Sequence, residues 1–126
     1  MQKATLLFAT ISGAIAVGIG AFGAHGLQKI LEANNRLETF DTAVKYHFYH
    51  TLVLLFLGLY MHYAQDKSYL NIASLAFMFG IIIFSGSLYT LSVTNIKILG
   101  AITPLGGLGF IAGWVFLFIN VLKNQF

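Results

Sequence analysis

The chain has no cysteine, which excludes disulfides, thiolate metal sites and thiol nucleophiles from the outset. It has one proline and one tryptophan, and its seven basic and four acidic residues amount to only 9% of the sequence. Soluble domains carry about a quarter charged residues, so too little charge is present here to solvate a globular surface. With 58% apolar residues and a mean hydropathy of +0.82, the chain reads as an integral membrane protein. Its 126 residues make one membrane domain, 1–126. A net charge of +3 would suit nucleic acid, but the Lys and Arg residues stand singly rather than in a stripe. They are read as membrane-edge residues, and no nucleic-acid partner is expected.

Long apolar runs are what the sequence does have. An all-α architecture follows, with four spans at about 4–24, 45–63, 69–91 and 100–122. The first could be a cleaved signal peptide, with Lys3 as its charged start, but its apolar run is long for that role and it is expected to stay as a span. Ser12, Ala16, Gly20 and Ala24 recur every fourth residue along it and form a small-residue packing face. Within it, Gly18 to Gly23 match G-x-G-x-x-G in form only. That fingerprint needs a preceding strand in a soluble unit. Gly109 and Gly113 make a second packing face on the last span.

Between the first two spans, about 27–44 is polar but helix-patterned, with apolar Leu27, Ile30, Leu31, Leu37, Phe40 and Val44 on one stripe. The pattern predicts an amphipathic helix in the interface plane. Asn34 and Asn35 break it, and Asn35 with Glu38 resembles a capping box that starts a second helix. In the last span, Pro104 either kinks a helix already under way, or takes its first turn with Thr103 as N-cap. The second is favoured. Four spans put both termini on one side. The basic residues divide four against three between the two faces, which leans weakly to termini outside the cytoplasm.

Threading the spans alternately gathers polar residues near one boundary. His25 ends the first span, His47 and His50 open the second, Ser85, Ser87 and Tyr89 close the third, and Thr103 opens the fourth. Such groups need partners inside a membrane. His25 and His50 could ligate a haem across this cluster, although an intramembrane His is more often a hydrogen-bonded link between helices. His47 and His50 lack a carboxylate at matching depth for a metal site, and none is expected. Asp41 is the nearest acid, too shallow to complete a Ser-His-acid triad.

Four separated motifs carry a resemblance. They are Gly20 to Leu27 (GAFGAHGL), Thr42 to His50 (TAVKYHFYH), Phe84 to Tyr89 (FSGSLY) and Ile102 to Gly107 (ITPLGG) running on to Trp114. Together they are similar to the YgdD-like small membrane proteins, a family known as domain of unknown function 423. The resemblance implies a bacterial multi-pass protein of the cytoplasmic (inner) membrane, and no biochemical activity. It singles out His25, His50, Ser85, Ser87, Tyr89, Thr103 and Pro104. It often has Gln where His47 stands, which makes His50 the better candidate.

The expected function is that of a non-enzymatic accessory or scaffold protein, homo-oligomeric or part of a larger membrane complex, with the lipid bilayer as its surroundings. The alternative is a binder of a quinone, haem or lipid headgroup, drawn by free N–H groups at a helix start near Thr103 and Pro104. A small transporter ranks below both, because no acids line a path.

Overall fold

The computed structural model describes residues 1–124, and among these there is no strand. The helices are α1 (Gln2–His25), α2 (Gln28–Ala33), α3 (Leu37–Tyr60), α4 (Ser68–Gly80), α5 (Gly86–Thr94) and α6 (Leu99–Lys123). A π-helical turn, Ile81–Ser85, joins α4 to α5. Three helical runs are long and apolar enough to cross a membrane: Gln2–His25, Ser68–Thr94 and Leu99–Lys123. α3 is as long as α1 but is not among them, since Asp41, Lys45, His47 and His50 dilute its apolar character.

α1 and α3 run antiparallel along their whole lengths. Gln2 Nε2 donates to the Gly58 carbonyl at one end, Ser12 meets His47 in the middle, and the Phe40 ring lies over Gly23 at the other end. α1 buries Thr5, Ala9, Ser12, Ala16 and Gly23. Strict steps of four drift about 40° per step around a helix, whereas steps alternating between four and three follow a neighbouring helix. The packed face therefore leaves the Ala24 line and ends on Gly23. Its outward side, including Leu7, Ile11, Val17 and Phe22, is exposed.

The α4–π–α5 run lies antiparallel to α6 through glycine contacts. Gly113 faces the Phe77 ring, Gly109 faces Ala76 and Gly80, and Gly106 abuts the backbone of Phe84 in the π turn. Between the helices lies a core of Ala9, Leu54, Leu57, Leu70, Phe77 and Phe110.

The stretch 27–44 divides at Asn34 and Asn35, where the break was expected, into the six-residue α2 and the first two turns of α3. Two expectations change here. Asn35 does not cap α3. It adopts a left-handed conformation (φ 54°), so that its own N–H reaches the Glu32 carbonyl and the Arg36 N–H reaches that of Leu31, closing α2 in a Schellman turn. The N-cap of α3 thus falls to Arg36, which makes no side-chain capping bond. Pro104 does not begin the last helix. α6 starts at Leu99, entered through short bonds from Leu99, Gly100 and Ala101 N–H to Ile96, Lys97 and Ile98 carbonyls. Pro104 lies inside the helix and has no N–H, so the Gly100 carbonyl is without its i+4 donor.

At the opposite turn Asp66 Oδ1 accepts the Ser68 N–H at 2.9 Å, and that backbone bond holds the Asp66 carboxyl below the usual carboxylate range. Any Cβ on Gly106 would collide with Phe84 main chain, which has no rotamer to yield. Gly106→Val is expected to destabilise by about 1–3 kcal/mol and to lower the melting temperature in detergent. Gly18→Ala, where a Cβ meets nothing within 4 Å, should be neutral or slightly stabilising.

Candidate functional site

The polar residues fall into separate sets. In the first, His47 uses both ring nitrogens between helices: Nε2 is 2.9 Å from Ser12 Oγ of α1, and Nδ1 is 3.1 Å from the Tyr89 hydroxyl of α5. Ser12 Oγ also lies 2.7 Å from Thr51 Oγ1. Ser12, His47 and Thr51 are buried, and Tyr89 at the end of the chain is half-buried. In the second set Ser87 Oγ and Thr103 Oγ1 are 2.7 Å apart, linking α5 to α6, and Thr103 also donates to the Leu99 carbonyl. Ser85, in the π turn, donates across to the Ala43 carbonyl of α3 at 3.0 Å.

His50 lies three residues from His47 yet turns to another helix. Its ring stacks flat on Phe110 of α6, with centroids 3.6 Å apart and planes 7° from parallel. Its Nδ1 is 2.8 Å from the Tyr46 carbonyl, which can only accept, so that nitrogen carries the proton. A rotation of about 60° between positions three apart on a helix is enough to send the two rings to different neighbours. His25 ends α1 exposed and takes part in no side-chain hydrogen bond or ring contact among the described residues. Asp41 is exposed too, in an ion pair with Lys45 at 2.7 Å. No group of three His, Asp or Glu residues among those described is placed to hold a metal ion.

Depth also differs from the expectation of a boundary cluster. Ser12 lies about 15 Å along the axis from Gln2 and about 20 Å from His25, at 1.5 Å per residue. His47 is therefore level with the middle of α1, not with its end. Ser12 and Thr51 were not legible as site residues, since small hydroxyls on an apolar helix look like packing. Counting outward from the turn between α1 and α3 would have paired Ser12 with the neighbourhood of His47.

A cavity of about 300 Å3 opens beside this network, between α1 and the π turn. Phe8, Ile11, Ile15, Ile81 and Ile82 form its walls, and Ser12, His47, Ser85, Gly86 and Tyr89 also line it. No charged residue does.

An apolar exterior of exposed Leu, Ile and Phe around helices that bury hydroxyls and imidazoles defines a helical membrane protein. Residues 19–107 match the family described as "Protein of unknown function (DUF423)", and the chain belongs to that family. It is 41% identical over 97% of its length to the UPF0382 membrane protein YwdK of Bacillus subtilis, covering 98% of that protein. A UPF0382 membrane protein of Staphylococcus epidermidis is 43% identical with the same coverage. The UPF0382 inner membrane protein YgdD of Escherichia coli is 36% identical over 94% of this chain and 88% of that one. No solved structure matches the chain.

Interhelical bonds of this kind average about 0.6 kcal/mol and reach about 1.7 in membranes. A double-mutant cycle of His47→Ala with Tyr89→Phe, read by thermal or denaturant unfolding in detergent, is expected to show coupling within that range. Strict additivity would mean that the 3.1 Å contact contributes nothing.

Proposed function

We propose that this chain is a four-span, non-enzymatic membrane scaffold whose buried polar groups fix how its helices register. One observation carries the reading: the interior hydroxyls and imidazoles singled out above are engaged by a neighbouring helix or by main chain. His47, Ser85 and the Ser87–Thr103 pair each tie two or more helices together. The Ser12–His47 pair has the spacing of a nucleophile and its base, but the ring's other partner is a neutral phenol rather than a carboxylate. Ser12 also lies mid-helix, where neighbouring N–H groups are already used by the helix and cannot form an oxyanion hole.

α3 is the fourth span in this reading. It matches α1 in length and lies along all of it, and its His47 and His50 turn inward. Asp41 and Lys45 on α3 neutralise each other, and Glu38 lies in the first turn, at the end of the helix. α2 and the turns around it then lie at the interface. The protein sits in the bacterial inner membrane with both termini outside, and it works as a homo-oligomer or as part of a larger membrane complex. Its exposed apolar flanks meet lipid or such a partner. A ligand-binding role is the second reading, and the cavity beside His47 is what favours it. The helix start once expected at Pro104 no longer does, because α6 is already under way there.

The absence of cysteine makes the topology directly testable by single-cysteine labelling. With four spans and termini outside, Lys3→Cys, Lys67→Cys and Lys123→Cys react with an impermeant maleimide on intact spheroplasts, and Glu32→Cys and Lys97→Cys only after permeabilisation. Glu32→Cys and Lys67→Cys reacting from one side would rule out α3 as a span. Native mass spectrometry of protein gently released from its membrane is expected to give one uniform oligomer or a defined partner. A monomer alone would count against the scaffold role.

A further inference from the structure

Half of the helical glycines are held by packing: a Cβ at Gly23, Gly58, Gly80, Gly106, Gly109 or Gly113 would strike a neighbour. Gly86 is different. Its backbone is helical (φ −60°, ψ −45°), and a Cβ there meets nothing within 4 Å. Glycine inside a helix costs about 1 kcal/mol relative to alanine. Gly18 has similar room but lies exposed on the outward side of α1, whereas Gly86 lines the cavity beside His47. Gly86 thus lines the cavity with no side chain, although there is room for one. The π turn contributes Ile81, Ile82 and Ser85 to the same cavity, and single π turns recur at functional sites.

The lining limits what could enter. A 150 Å3 cavity holds benzene, so about 300 Å3 admits a substituted ring. With no charged side chain in the lining, phosphate headgroups and haem propionates would go uncompensated. The cavity lies at the depth of Ser12, near the middle of α1, whereas the ester carbonyls of a glycerolipid belong to the interface. Ile11, Ile15 and Ile82 are exposed and form an apolar mouth.

The hydrogen-bond chain supplies one matching donor. When His47 Nδ1 carries the proton it donates to the Tyr89 oxygen, Nε2 accepts from Ser12, and Ser12 accepts from Thr51. The Tyr89 O–H is then left with no acceptor among the described residues, and Tyr89 lines the cavity. In the other tautomer Tyr89 donates to Nδ1 and offers nothing outward. A ligand with an acceptor oxygen on an apolar ring selects the first arrangement.

We propose that the cavity between α1 and the π turn binds the ring of a lipid-soluble quinone, with a ring carbonyl accepting from the Tyr89 hydroxyl and the tail leaving past Ile11 and Ile82. The inference goes beyond the scaffold role and rests on the four-span reading for its depth. Cysteine mapping tests that reading separately, so a failed titration with the mapping intact falls on the cavity alone.

The experiment is native mass spectrometry of the full chain in detergent, titrated with decylubiquinone and with menaquinone-4, and in parallel with dioleoylglycerol as an ester-carbonyl lipid. A saturable adduct of one quinone per chain is expected with at least one of the two. Gly86→Leu, whose Cβ meets nothing within 4 Å and whose longer side chain takes up the open space, abolishes it. Tyr89→Phe weakens it about tenfold, the loss of one good hydrogen bond. In protein with 15N-labelled histidine, saturation shifts the His47 ring signals towards the Nδ1–H tautomer. No adduct, an adduct that survives Gly86→Leu or ignores Tyr89→Phe, or equal uptake of dioleoylglycerol would overturn the proposal. A melting temperature for Gly86→Leu no lower than that of the unaltered chain establishes that its effect is local, whereas Tyr89→Phe also gives up the His47 bond and is read by quinone binding alone.

Discussion

The imidazole of His47 has two nitrogens, and each is held by a different helix. On one side stand α1 and α3, an antiparallel pair joined by the tight Asn34–Asn35 corner. On the other stand the α4–π–α5 run and α6. Ser12 and Tyr89 draw the two pairs onto one ring, and Ser85 adds a bond to the Ala43 carbonyl one turn earlier on α3. Apolar contacts alone have little orientational preference in a lipid-like setting, where chains and lipid tails are equally apolar. In the scaffold reading proposed above, directional bonds from α3 set the relative rotation of both pairs, and the remaining packing accommodates it.

Close approach is the second constraint. Gly106 lets α6 touch the main chain of Phe84, within the turn where the helix widens. The widened turn also directs Ser85 towards α3 while Ile81 and Ile82 line the cavity. Packing and polar registration thus meet in the same five residues. Elsewhere the interior is less complete: Ser74 Oγ and both side-chain polar atoms of Asn120 are buried without a hydrogen-bond partner among the described residues.

Apolar runs without charge placed the helices at 4–24, 69–91 and 100–122 within a few residues of α1, the α4–π–α5 run and α6, because in such segments length and composition dictate helix. Legibility failed where a local signal competed with a neighbour. Asn35 with Glu38 reads as a cap, yet the same asparagine is also suited to the left-handed turn that closes α2, and the turn prevailed. Pro104 after a threonine reads as a helix start, but the turn at Ile96 to Ile98 had already supplied one. Within the site, the polar residue types were visible and their pairing was not. His47 and His50 are near equivalents in a linear sequence, and only the helix facing each one separates a hydrogen-bonded junction from a ring stacked on Phe110.

The corner between α2 and α3 holds more than its own turn. Asn34 Nδ2 donates to the Ser92 and Val93 carbonyls at the end of α5, and Arg36 Nε donates to Asn95 Oδ1, where the chain again turns left-handed. Asn34 is made 58 residues before Ser92. At about 5–20 residues per second, it waits some 3–12 seconds for the carbonyl it will hold. The early half of the chain thus presents its donors before the late half exists. Synthesis order and fold agree here: the last turn of α5 arrives at a mooring already in place.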